Sequence, residues 1–250
     1  MLLPGGRVAI TTQVGPCQQL LVVEPDGRAK PVALPYTSIK PYLVVCGDRV
    51  GLIGASSTHV PEVALVAVDG TDAVEVIRRP AQPLPERAVS IPEVMQVDAV
   101  DGQLTVLFYP PVPTVEGVPP LIVRPHAGPT YHNELRLDPE VQFFTSRGFA
   151  VTDVDYRGST GYGRAFRKAL DGNWGRFDVE DCRAAALHLI VGRRVRANAV
   201  FISGASAGGY TALKAACDDG PFVLAVARSA IVDPQLLRTT PLRRLGMPGR

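Results

Sequence analysis

Val200-Phe201-Ile202-Ser203-Gly204-Ala205-Ser206-Ala207-Gly208-Gly209-Tyr210 decides how this sequence is read. An apolar run ends in Gly-x-Ser-x-Gly, and a helix-like run, Tyr210 to Cys217, follows it. Strand, sharp turn and helix form the setting of a serine nucleophile elbow. Such a turn strains its central residue, so small neighbours are needed on both sides. Gly204, Gly208 and Gly209 meet that need, and Ala205 and Ala207 add little bulk. Ser206 is the candidate nucleophile. The Ala207 N–H, at the helix start, is a candidate donor to an oxyanion. The competing reading is a tight strand-to-helix turn with a bystander serine.

Upstream, Leu121–Pro125 reads as a short buried strand running into the tight turn His126-Ala127-Gly128-Pro129. Around an elbow of this kind, the loop after the third strand gives the second oxyanion N–H. Gly128 or Ala127 is placed to supply it. His126 reads as a residue that shapes this loop, since an oxyanion-loop side chain is badly placed to act as a base. Asp138 to Arg147 reads as a helix with Gly148 as its C-cap, and Phe149–Asp155 as the next strand. The glycine-rich loop Arg157–Gly163 has neither a P-loop lysine nor Gly-x-Gly-x-x-Gly spacing, which excludes a phosphate-binding reading. Asp178 to Val191 reads as an amphipathic helix with Asp178 as N-cap. Glu180 and Asp181 then serve its dipole rather than paired acid–base chemistry. Asn198–Ser203, a helix from Gly209, and strand Phe222–Arg228 complete the series. Strands alternating with helices predict an α/β domain whose parallel sheet is flanked by helices on both faces.

Residues 1 to about 85 have a different grammar. Arg7–Thr12, Gln19–Glu24, Tyr42–Cys46, Arg49–Gly54 and Glu62–Val68 read as short strands, and Gly47-Asp48 is a hairpin signal. Their spacing fits about two propeller blades, which alone would leave open edges. Prolines 80, 83 and 85 mark residues 79–91 as a linker. Glu93–Val97 and Gln103–Tyr109 read as a hairpin closed by Asp101-Gly102.

Composition narrows the function classes. The net charge of +2 comes from interspersed charges, which gives no case for nucleic acid or an anionic membrane. The four cysteines are scattered, with no metal-ligand spacing, and read as thiols in a reducing cytosol. No apolar run suggests a span or signal peptide, so cytoplasmic is the default expectation. No metal or cofactor is expected.

Five stretches together resemble the prolyl oligopeptidase family of serine peptidases, in its acylaminoacyl-peptidase and dipeptidyl-aminopeptidase branch. They are 120–130 with His126-Ala127-Gly128-Pro129, 149–155, 156–163, Trp174-Gly175 with Asp178 and Asp181, and 204–210. Ala127 replaces the first glycine of the family's His-Gly-Gly-Pro, which narrows the backbone angles there. The resemblance implies an incomplete α/β-hydrolase domain, its N-terminal part over 92–235, preceded by the last blades of a β-propeller (1–85) and a linker (86–91). Residues 236–250 read as a disordered tail. It also implies hydrolysis of short or N-acylated peptides through Ser206, with the family's downstream catalytic Asp and His absent from this sequence. The order in this fold is Ser, then Asp or Glu, then His. Yet His59, His126, His132 and His188 all precede Ser206. The sequence is therefore expected to be a fragment, or an interrupted reading frame, of a peptidase and nearly inert alone. An inactive interaction module and a carboxylesterase on the same fold are the alternatives.

Overall fold

The computed structural model describes residues 1–233 except 72, 83 and 115; the expected tail at 236–250 lies outside the described residues. The N-terminal part forms two antiparallel sheets. The first joins β1 (Val8–Val14), β2 (Cys17–Val23) and β3 (Ala29–Pro31) in that order. The second joins β4 (Ser38–Ile39), β6 (Arg49–Ala55), β7 (Glu62–Ala67) and β8 (Val74–Arg78), with β5 (Val44–Cys46) also paired to β6. Gly47 has φ 62°, the left-handed conformation that the β5–β6 hairpin needs. One core runs through both sheets, including Leu20, Val22, Val50, Leu52, Ala64 and Val66. β8 goes beyond the expected strands: its Val-Glu-Val-Ile-Arg carries two charges and is mostly exposed, so no apolar run announces it.

The segment read as a linker is pinned at its end. After a 3-10 turn at Glu86–Ala88, the Ser90 N–H donates to Gln142 Oε1 (2.7 Å) and its hydroxyl to the Pro110 carbonyl (2.6 Å).

The remainder is a six-stranded sheet in the order β14-β13-β11-β12-β10-β9. Its strands are β9 (Glu93–Ala99), β10 (Gly102–Tyr109), β11 (Leu121–Pro125), β12 (Ala150–Asp155), β13 (Val200–Ala205) and β14 (Phe222–Arg228). The expected parallel sheet needs correcting. β14, β13, β11 and β12 run parallel, but β10 joins β12 antiparallel, because the two strands of the β9–β10 hairpin point oppositely and cannot both follow the parallel strands.

Helices α1 (Pro139–Thr145), α2 (Gly163–Lys168), α3 (Phe177–Val191) and α4 (Ala207–Cys217) complete the element order. Asp138 caps α1, accepting from the N–H groups of Glu140 and Val141. The C-cap of α1 is Ser146; Gly148, at φ 85°, lies two residues beyond it. The N-cap of α3 is Arg176, not Asp178, whose carboxylate is turned to partners described below. Nor is α3 simply amphipathic. Its buried face carries Asp178 and Asp181 beside Val179, Cys182, Ala185, Ala186 and Leu189.

The sheet's two faces are covered unequally. α3 and α4 pack on the face bearing Val106, Leu121, Val123, Val154, Val200 and Ile202. α1 packs on the opposite face, against Leu107, Tyr109, Ile122, Val151 and Phe201. Beyond α1 this second face continues through Ser203 and Ala205 of β13 to Leu224 and Val226 of β14, which are 52% and 44% exposed.

Candidate active site

Ser206 sits between β13 and α4 with φ 53° and ψ −117°. A non-glycine residue in this region is strained by about 1–3 kcal/mol and persists only where its surroundings hold it. Here they do. The Ser206 N–H donates to the Arg228 carbonyl (2.9 Å), and its own carbonyl accepts from the N–H groups of Tyr210 (3.1 Å) and Ile231 (3.3 Å).

The glycines follow from close backbone approach. A Cβ on Gly204 would run into the Gly208 carbonyl, and one on Gly208 into the carbonyl of Pro125. A Cβ on Gly209 would come within 2.9 Å of the Ala230 methyl. The contact between Gly208 and Pro125 also brings the loop after β11 against the first turn of α4. Ser206, Ala207, Ala127 and Gly128 thus gather at the C-terminal ends of β11 and β13. Ala207 opens α4, where N–H groups lack helical partners and the dipole favours negative charge.

Gly128 has φ 72°, so glycine is needed there. Ala127 is not among the non-glycine residues with positive φ, so alanine occupies the position of the family's first glycine without backbone strain. The His126 ring stacks on Tyr156 at 4.2 Å between centroids. Its Nε2 lies 2.7 Å from Ser159 Oγ, and that hydroxyl donates to the Tyr156 carbonyl. The Tyr156 hydroxyl reaches the carbonyls of His126 and Gly128, each at 3.2 Å. Burial lowers the His126 pKa to about 4, so the ring is neutral near pH 7. These contacts fix the shape of the loop.

The other histidines lie elsewhere. His132 bonds with Thr160 (2.9 Å) and His59 with Thr58 (2.8 Å), while His188 is exposed on α3. None of these contacts directs an imidazole at Ser206.

A supporting layer beneath the elbow is only partly legible in the sequence. Asp178 is fully buried; it accepts from the Gly175 N–H (2.6 Å) and from Thr211 Oγ1 (2.5 Å), four residues after Ala207 on α4. Tyr210 packs edge-on against Trp174 at 4.9 Å. Asp181 accepts three donors of Arg157, its backbone N–H, Nε and Nη2, at 2.7–3.0 Å. Burial raises the pKa of both aspartates despite these donors. The one signal that points to this layer is the short interval between Trp174-Gly175 and Asp178.

The N-terminal sheets grip the loops near the elbow. Gly15 N–H donates to the Gly161 carbonyl (3.1 Å), Leu137 N–H to the Ser56 carbonyl (2.7 Å), and Ser38 Oγ to Glu134 (2.9 Å). Among the described residues, no cluster of histidines, cysteines or carboxylates could hold a metal ion, and no helix is long and apolar enough to cross a membrane.

Residues 135–245 match the sequence model of the prolyl oligopeptidase family. The chain is 34% identical over 134 residues to the human acylamino-acid-releasing enzyme, covering 53% of this chain and 17% of that one. It is 36% identical over 98 residues to dipeptidyl peptidase family member 6 of Caenorhabditis elegans, covering 38% and 13%. Among solved structures, a puromycin-hydrolyzing peptidase of Mycobacterium tuberculosis superposes with a TM-score of 0.89 at 35% identity, over 96% of this chain and 37% of that one. An acylaminoacyl peptidase of Pyrococcus horikoshii, 20% identical with a TM-score of 0.75 over 92% and 36%, shares the fold. The chain thus spans less than a fifth of these curated relatives and little more than a third of these solved structures.

Proposed function

We propose, for a chain that belongs to the prolyl oligopeptidase family of serine peptidases, that Ser206 is the nucleophile for acyl transfer from short or N-acylated peptides. The observation that carries this is the backbone of Ser206, held left-handed by Arg228, Tyr210 and Ile231 where strand meets helix. In this reading Ser206 Oγ attacks the scissile carbonyl. The Ala207 N–H and an N–H of the Ala127–Gly128 loop stabilise the oxyanion, each worth roughly 2.7–4 kcal/mol of barrier. The amine leaves, and water hydrolyses the acyl-serine. The acylamino-acid-releasing and puromycin-hydrolyzing relatives support an N-terminal or N-blocked substrate. The two N-terminal sheets are assigned as propeller blades on the same resemblance, and 92–233 as α/β-hydrolase.

The base is the weak element of the site. No histidine follows Ser206 in the sequence, and those before it are bonded or placed elsewhere. In subtilisin, which uses the same serine chemistry, losing the histidine costs about 2 × 10⁶ in kcat. These 250 residues alone are therefore expected to be nearly inert, keeping at most roughly 10³–10⁴ over the uncatalysed rate. An inactive interaction module is the second reading, favoured by that same observation.

A fluorophosphonate probe followed by peptide mapping tests the nucleophile. Slow labelling at Ser206, accelerated by added imidazole and absent from Ser206→Ala, is expected. Labelling at another serine, or none with imidazole on folded protein, would reject the assignment.

A further inference from the structure

Asp178 and Asp181 are both buried in the first turns of α3, yet their partners differ in kind. Asp181 faces the Arg157 guanidinium, whereas the two donors of Asp178 are neutral: the Gly175 N–H (2.6 Å) and Thr211 Oγ1 (2.5 Å). A carboxylate buried without a cation is a poor source of stability. What Asp178 does fix is position, because one side chain ties the turn before α3 to the second turn of α4.

Both donors lead to the elbow. Thr211 Oγ1 also lies 3.2 Å from the carbonyl of Ala207, one turn earlier on α4. Gly175, at φ 85°, sits so close to Tyr210 that a Cβ there would lie 2.8 Å from the Tyr210 ring. The Tyr210 N–H in turn donates to the Ser206 carbonyl (3.1 Å). That carbonyl and the Ala207 N–H belong to one planar peptide unit, so holding one end aims the other. As the first residue of α4, Ala207 has no intrahelical partner for its N–H, which stays available to a ligand.

We propose that Asp178 is a positioning residue of the oxyanion site: through Thr211 and Gly175 it fixes the Ser206–Ala207 peptide and with it the direction of the Ala207 N–H. The inference rests on Ser206 being the nucleophile. Asp178 touches no reacting atom and moves no proton in the reaction. The Ser206 N–H is held separately, by the Arg228 carbonyl. Loss of Asp178 therefore misaims the donor while the serine keeps its strained turn. Displacements of this kind, about 1 Å and remote from the chemistry, can cost on the order of 10² in rate.

Imidazole-assisted labelling of Ser206 by a fluorophosphonate tests this, because the phosphoryl oxygen of the probe gains negative charge as Ser206 attacks. Asp178→Ala, which removes both bonds, should slow labelling at saturating probe by at least about tenfold, with little change in the half-saturating probe concentration. Thr211→Val should slow it too. The double variant should be no slower than the slower single one, because the two residues act as a unit. Asp178→Asn keeps an acceptor for Gly175 and offers Thr211 a donor, so labelling should stay within about threefold of wild type. Leu189→Val, a loss of packing at the far end of α3, should lower the melting temperature and leave labelling unchanged. Circular dichroism melts verify that each variant folds, and Thr211→Val decides the matter if Asp178→Ala does not fold. Wild-type labelling rates in folded Asp178→Ala or Thr211→Val would overturn the proposal and leave Ser206 as the nucleophile. So would a fall in Leu189→Val equal to theirs, or a fall in Asp178→Asn equal to that of Asp178→Ala. An unlabelled Ser206 in the wild-type chain would reject the nucleophile, and this proposal with it.

Discussion

The two faces of the six-stranded sheet use the same strands differently. Under α3 and α4, buried apolar side chains continue from β10 to β13. Under α1 the apolar layer stops at Ile122, Val151 and Phe201, and the next residues outward on that face are Arg124 and Asp153. The first face is a core and fixes where the elbow stands. The second is half core and half charged wall, ending at an exposed strand edge. Buried apolar packing and exposed charge are thus divided between two sides of one sheet, and a residue's side predicts what its substitution does.

That division can be broken by mutation. The largest effect is expected at Ile202, fully buried on the α3–α4 face. Ile202→Ala should cost about 2–5 kcal/mol, measured by urea unfolding. A loss below about 1 kcal/mol would show that this face is not the core.

A smaller and conditional effect is expected at Asp153. Burial raises its pKa to about 7, opposed by the nearby Arg124 charge. The folded state therefore holds this proton more tightly than the unfolded chain, whose carboxyl has the ordinary value near 3.8. Stability from this group is present at acid pH and is lost as pH rises toward 7 and above. Wild type should gain on the order of 1–3 kcal/mol relative to Asp153→Asn between about pH 8 and pH 5. Asp155, raised to about 6, is present in both proteins, so the difference reports Asp153 together with its coupling to Asp155. Parallel pH profiles would remove Asp153 as the titrating group.

The smallest effect belongs to the exposed end of the second face. Leu224→Ser should change stability by about 0.5 kcal/mol or less in thermal melts. A loss comparable with that of Ile202→Ala would mean that β14 is covered in solution and that the two faces are alike.

Legibility in the sequence follows the same division. The elbow can be read because its demands are local: strain at Ser206 and close approach at Gly204 and Gly208 dictate residue types within a few positions. The β9–β10 hairpin is legible for the same reason, through Asp101-Gly102. Asp178 reads as a cap because its partner Thr211 is 33 positions away, and spacing alone cannot tell a capping aspartate from a buried acceptor. Arg124 and Asp153 are silent in the sequence, because only the parallel register of β11 with β12 makes them neighbours. α2 is short and carries no apolar repeat to announce it.

The bonds that hold Ser206 also set an order of events during synthesis. Its N–H is bound by Arg228, at the far end of β14, and its carbonyl in part by Ile231. Neither has emerged when Ser206 leaves the ribosome. The nascent chain carries the elbow sequence without two of the bonds that oppose its strain until β14 has followed and docked beside β13. Maturation of the nucleophile is thus tied to the emergence and docking of a later strand.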